Sequence, residues 1–126
     1  MRWSFLLLAS VGMSSIPAAL AADGERLALL HCGRCHVVSE ANRFGGIDST
    51  PSFAALRSLA DWSEKLSTFW TASPHAAVVQ IAGVTEPFPP ERPPPIAPVE
   101  LTIEEVEAIQ AFIETIEPKE LGGALR

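Results

Sequence analysis

Three stretches of the chain carry helical spacing and one long stretch forbids it. Over FAALRSLADWSEKLSTFWTA, residues 53–72, the apolar residues Leu59, Trp62, Leu66 and Phe69 recur at steps of three and four, which predicts one or two short helices with these residues on one side. Asp61 stands ahead of the denser part of that stripe, where it breaks or recaps the run. The last element is the clearest. Thr102 and Glu105 form a T-x-x-E capping box, and Ile103, Val106, Ile109, Ile113 and Ile116 follow along one helical stripe that Pro118 ends. Nearer the start, Asp23 is placed to cap a helix through GERLALLHCGRCH, with Glu25 and Arg26 in its first turn and Leu27 and Leu30 on one side.

The connections are as informative as the helices. SEANRFGGIDSTPS reads as loop, because Asn42, Gly45, Gly46, Asp48 and Pro51 interrupt regular structure. A loop that long in a small domain needs something to wrap. SPHAAVVQIAGVTEPFPPERPPPIAPVEL holds eight of the eleven prolines, so its second half is neither helix nor interior strand but a stiff, extended covering segment. No segment alternates as a strand, and the pattern predicts an all-α chain.

The first residues change the picture of what the mature chain is. A positive start at Arg2, an apolar run broken by Ser14, Ser15 and Pro17, and the tripeptide Ala19-Leu20-Ala21 have the layout of a secretory leader over residues 1–21. The mature domain is then residues 22–126, starting at Ala22 or Asp23. The alternative is an uncleaved membrane anchor, since no charge falls between Arg2 and Asp23 and a span needs about 20 residues. Loss of Arg2 leaves eight basic against fifteen acidic residues, a net of −7. That balance argues against nucleic acid or an anionic membrane as partner and suits a basic protein surface. Glu104, Glu105, Glu107, Glu114 and Glu117 concentrate the negative charge on the terminal helix, which is either a solvated face or a docking surface.

HCGRCH, residues 31–36, holds both cysteines and two of the three histidines. A single Cys32–Cys35 bridge closes too short a loop to hold a domain together, so the thiols are chemical before they are structural. A thioredoxin-like pair needs strands around it and a helix N-terminus to lower the first thiol's pKa, whereas this motif falls at the end of its helix. Structural zinc needs four ligands, and beyond the two thiols only His31, His36 and His75 remain. Covalent haem needs only what is present: each thiol adds to one vinyl group as a thioether, and His36 turns back to ligate the iron from the proximal face.

With Cys32-Gly33-Arg34-Cys35-His36 closing a first helix, the loop segment STPSF, and the capped helix LTIEEVEAIQAFIETIE, the mature chain resembles a small class I c-type cytochrome along essentially its whole length. The resemblance implies an all-α, cytochrome c-like fold that wraps one covalently bound haem c. It places Gly24 and Phe112 at or near the crossing of the first and last helices. Pro51 matches the family proline whose carbonyl holds the proximal histidine, an outer-shell bond that fixes the ring and raises its basicity.

The resemblance fails at one place. The family's distal methionine stands some six residues before the cap of the last helix, where this chain has Ile96. Met1 and Met13 both lie in the leader, so a thioether ligand is excluded once it is cut. Three distal arrangements stay open: His75, in Ser73-Pro74-His75; an open iron shielded by Ile96 and the prolines; or another donor such as a backbone group, Lys65 or water. His31 is a surface or propionate-side residue. The expectation is a periplasmic carrier that passes one electron at a time between redox proteins and is not an enzyme. Its rival is a five-coordinate haem that binds or senses a small ligand or reacts with peroxide.

Overall fold

In a computed structural model the described residues are 16–120, with side chains from residue 18 onward. Most of the predicted leader, and the tail from residue 121, lie outside them. The first helix, α1, spans Ile16–His31. It starts seven residues ahead of the predicted Asp23 cap because PAALAA is rich in strong helix formers. Asp23 is therefore internal, where it pairs with Arg26 one turn on at 2.7 Å. The predicted cut after Ala21 falls inside this helix.

The terminal helix, α4, spans Ile103–Glu114 and begins as its sequence predicts. The Thr102 hydroxyl accepts from the Glu105 N–H, and the Glu105 carboxylate accepts from the Thr102 N–H at 2.9 Å. It stops short of Pro118, however. Thr115 closes it, with the Thr115 hydroxyl donating to the Phe112 carbonyl at 2.7 Å and the Ile116 N–H tightening onto Ile113. The buried face of α4, Val106, Ala108, Ile109, Phe112 and Ile113, packs on Gly24, Leu27 and Ala28 of α1. The two helices cross at Gly24, so closely that a Cβ there would lie 1.9 Å from the Ala108 carbonyl oxygen and 2.9 Å from the Phe112 Cβ. Leu30, predicted to share the buried side with Leu27, is instead 67% exposed, because the buried face of α1, Ala21, Gly24, Leu27 and Ala28, is centred on the Ala28 side of Leu27, and Leu30 lies on the other side of Leu27, about 200° around the helix from Ala28.

Two short helices fill residues 53–72, with the break where Asp61 stands: α2, Phe53–Arg57, and α3, Trp62–Ser67. Ser52 caps α2 by accepting from the Ala55 N–H. Asp61 precedes α3 without a capping bond and pairs with Lys65 instead. Single 3₁₀ turns at Phe69–Thr71 and His75–Ala77 lead into a strand, β1, Val79–Ile81. It pairs in parallel with β2, Val99–Leu101, in the register Val79 to Val99 and Ile81 to Leu101.

This ladder corrects the expectation of no strands. Three residues are too few for alternation to register in sequence, and the pairing joins segments on either side of the Pro-rich connection. Val79, Ile81 and Leu101 are buried in the core with α4. The connection itself, residues 82–98, is irregular, tied at its ends by Ala82 N–H to Leu101 and Val99 N–H to Val78. The architecture is thus all-α and cytochrome c-like, with one short ladder closing the proline loop.

Candidate haem site

Cys32 follows the last residue of α1 and still belongs to its hydrogen-bond ladder, its N–H donating to the Ala28 carbonyl at 2.8 Å. The chain then turns sharply, with Cys35 and His36 both donating N–H groups to the Cys32 carbonyl. Both thiols are free and half-buried. Burial, reinforced by the neighbouring Cys35, pushes the Cys32 thiol up to about 12. A thiol held protonated in this way is the opposite of the low-pKa nucleophile that disulfide exchange requires. Among the described residues no group of three or more His, Cys, Asp or Glu side chains gathers to hold a metal ion, so the donor set of a structural zinc site is not assembled there.

His36 is the buried polar residue of the core, 9% exposed. Its Nδ1–H donates to the Pro51 carbonyl at 2.7 Å, which leaves Nε2 with its lone pair as an acceptor or ligand. Phe53 packs against the ring edge-on, centroids 5.5 Å apart. The loop that carries Pro51 is bound back onto the motif at several points. Phe53 donates its N–H to the Val37 carbonyl at 2.9 Å, and Ile47 donates to the Cys35 carbonyl at 3.0 Å. Gly46 permits that approach: its φ is 76°, and a Cβ would sit 3.0 Å from the Val37 nitrogen.

Asn42 organises the same loop, a role the sequence reading missed in taking it only as a breaker. Its Oδ1 accepts from the N–H groups of Val38 (2.8 Å) and Ser39 (3.1 Å). Its Nδ2 donates to the carbonyls of His36 (2.9 Å) and Gly33 (3.4 Å). Asn42 closes a 3₁₀ turn, Glu40–Asn42, capped by Ser39. The S-x-x-N spacing, a relative of the capping box, is the signal that marks the turn, though not its long bonds to the motif.

His75 stands opposite His36. The ring centroids are 6.0 Å apart and the planes lie within 7° of parallel. Two metal–nitrogen bonds of about 2 Å, with half a ring on each side, space two imidazoles on one metal by about 6 Å. Burial, and to a lesser degree the facing His36, lowers the His75 pKa below the ordinary histidine value, so the ring is neutral and its lone pair available at neutral pH. The other distal candidates are placed less favourably. Lys65 is paired with Asp61 on exposed α3, and Ile96 is 40% exposed on the proline loop. His31 ends α1, half-buried.

Two free thiols one turn apart, a histidine with a free Nε2 beside them and a second imidazole facing it fit a covalently attached haem, within an all-α fold whose crossing helices and long loops suit such a group. The chain belongs to the cytochrome c family, whose model, described as Cytochrome c, matches residues 21–117. It is a c-type haem protein of electron transfer, and its cofactor is haem c with iron, for whose attachment Cys32 and Cys35 are positioned. Comparison with curated proteins and with solved structures gave no match.

Proposed function

We propose that this protein is a periplasmic one-electron carrier in which His36 and His75 would hold the iron of a single haem between them. The observation that carries the reading is the apposition of the two imidazoles at 6.0 Å, parallel to within 7°. Cys32 and Cys35 would hold the group by thioethers, and the Pro51 carbonyl would fix the His36 ring through its Nδ1–H. When bound, the haem supplies a reversible one-electron couple, and two imidazole ligands set its potential lower than a thioether would. If both imidazoles hold the iron, no place on it would be left for substrate, which favours a carrier over an enzyme.

Secretion rests on the leader-like residues 1–21 and on the extracytoplasmic character of thioether attachment. Among the described residues no helix is long and apolar enough to cross a membrane. For the partner, the acidic face of α4 supports a basic docking surface. Glu104, Glu107 and Glu114 are exposed, and no ion pair to them is present among the described residues. Complementary charge of this kind mainly accelerates association, so electron transfer to the native partner should slow as salt rises.

Optical spectra of the purified mature protein test the ligation. The wild type should be low-spin in both oxidation states and inert to carbon monoxide, whereas His75→Ala should become high-spin and bind it readily. Rapid carbon monoxide binding by the wild type would replace the carrier with an open, ligand-binding haem.

A further inference from the structure

The two facing imidazoles are anchored unequally. His36 has a 2.7 Å hydrogen bond from Nδ1 to the Pro51 carbonyl. His75 has no hydrogen bond to either ring nitrogen among the described residues; the rings of His36 and Phe69 pack against it. Phe69 stands perpendicular to it, centroids 5.2 Å apart and planes at 84°, the edge-to-face geometry that aromatic pairs favour. The backbone makes this contact local. Thr71 and Ala72 return N–H groups to Thr68 and Phe69, Ala76 donates to Ala72, and Val78 donates to His75. The turn at Phe69–Thr71 is thereby folded against the turn at His75–Ala77, and both are held at the start of β1. Trp70 packs edge-on against Phe69, centroids 5.4 Å apart, and has no ring contact with His75 among the described residues.

We propose that Phe69 is the positioning residue that holds the His75 ring parallel to His36, and so decides whether His75 keeps its place on the iron. The inference rests on the ligation proposed above. A histidine tethered by a hydrogen bond to a backbone carbonyl cannot rotate about its χ2 without losing that bond. A histidine without such a bond, packed against a perpendicular ring, is freer to rotate once that ring is removed. Phe69 therefore sets both the ligand-plane angle and the ease with which an outside ligand displaces His75.

The test uses full-length protein matured with haem and compares wild type, Phe69→Leu, Phe69→Tyr, Trp70→Leu and His75→Ala. The readouts are the low-spin electron paramagnetic resonance of the oxidised protein, which responds to the angle between axial imidazole planes, and the dissociation constant for added free imidazole. Phe69→Leu should shift the resonance anisotropy and tighten imidazole binding about three- to tenfold, the factor expected for losing one aromatic contact. Phe69→Tyr should restore the wild-type signal, and Trp70→Leu, which removes neighbouring packing without touching His75, should leave it unchanged. A low-spin wild type whose signal and imidazole affinity are unaltered in Phe69→Leu, or altered equally in Trp70→Leu, overturns the proposal and leaves the ligation intact. A His75→Ala spectrum identical to wild type overturns the ligation itself. Should Phe69→Leu not fold, the reduced wild type decides: close dipolar contacts between Phe69 and His75 ring protons are expected, and their absence overturns the proposal.

Discussion

Residues 31–53, around His36, are tied to one another by directed hydrogen bonds from Asn42, Ile47, Phe53 and the His36 ring. Residues 69–101, which bring His75 into place, are tied by ring packing and a three-residue ladder. The difference teaches what each side is fit to do. Hydrogen bonds between part-buried groups fix direction and are costly to break. Packing fixes position less strictly and yields at smaller cost. On the proposed ligation, the motif side would present its imidazole in one orientation, and the facing side an imidazole whose hold depends on its neighbours.

The largest effect should come from the helix crossing on which the motif side is mounted. Gly24→Ala forces a Cβ to within 1.9 Å of the Ala108 carbonyl, and driving α1 from α4 should cost about 3 kcal/mol or more, read as a lower urea midpoint. A variant of unchanged midpoint would show that the helices separate freely and that the crossing is not what supports His36.

Asn42 comes next. Asn42→Ala leaves two N–H groups and two carbonyls without their partner, and should cost about 2–3 kcal/mol, after some are taken up by water. Asn42→Asp keeps the acceptor for Val38 and Ser39 but loses the donor to His36 and Gly33, so it should fall between wild type and Ala. Neither variant should open the iron to carbon monoxide at the His75 side. If either does, the two sides are not independent in the way their contacts suggest.

A break on the other side should give the reverse pattern. Val99→Pro removes the N–H that donates to the Val78 carbonyl at 2.8 Å, at a cost of about 1–2 kcal/mol. Because β1 begins four residues after His75, this change should weaken distal ligation, seen as faster carbon monoxide binding, while the haem stays attached through acid–acetone extraction. Spectra identical to wild type would mean that the ladder supports the core and not His75.

The smallest effect tests the background to the comparison. Thr102→Ala deletes the cap of α4 and should cost about 1 kcal/mol with no spectral change, since the cap is exposed and its bonds go to neither His36 nor His75. A shifted spectrum would reveal that α4 communicates with the site through β2.

Much of the molecule was legible in residues 31–36 and 102–116. The Cys-x-x-Cys-His spacing names its chemistry because few cofactors need two thiols and an adjacent imidazole, and the capping box marks the start of α4 because both its bonds are local. Pro51 and the Gly24–Phe112 crossing could be located only through the family resemblance, and the bond from His36 to Pro51 spans fifteen residues. Where the reading erred, the cause was local signals outweighed by other terms. The alanines ahead of Asp23 extended α1 past an adequate cap. The 3₁₀ closure at Thr115 stopped α4 before Pro118 was reached.

Residue types and spacings of a few residues were enough to define the attachment motif, the lack of any methionine after Met13 and the existence of the last helix. Only the tertiary structure decided that His75 faces His36, that Phe69 stands against it and that Asn42 binds the motif. Those facts depend on how the loop over residues 39–52 and the ladder of Val79–Ile81 with Val99–Leu101 close, and closure over such separations is set by the core they bury together, which no short window of sequence contains.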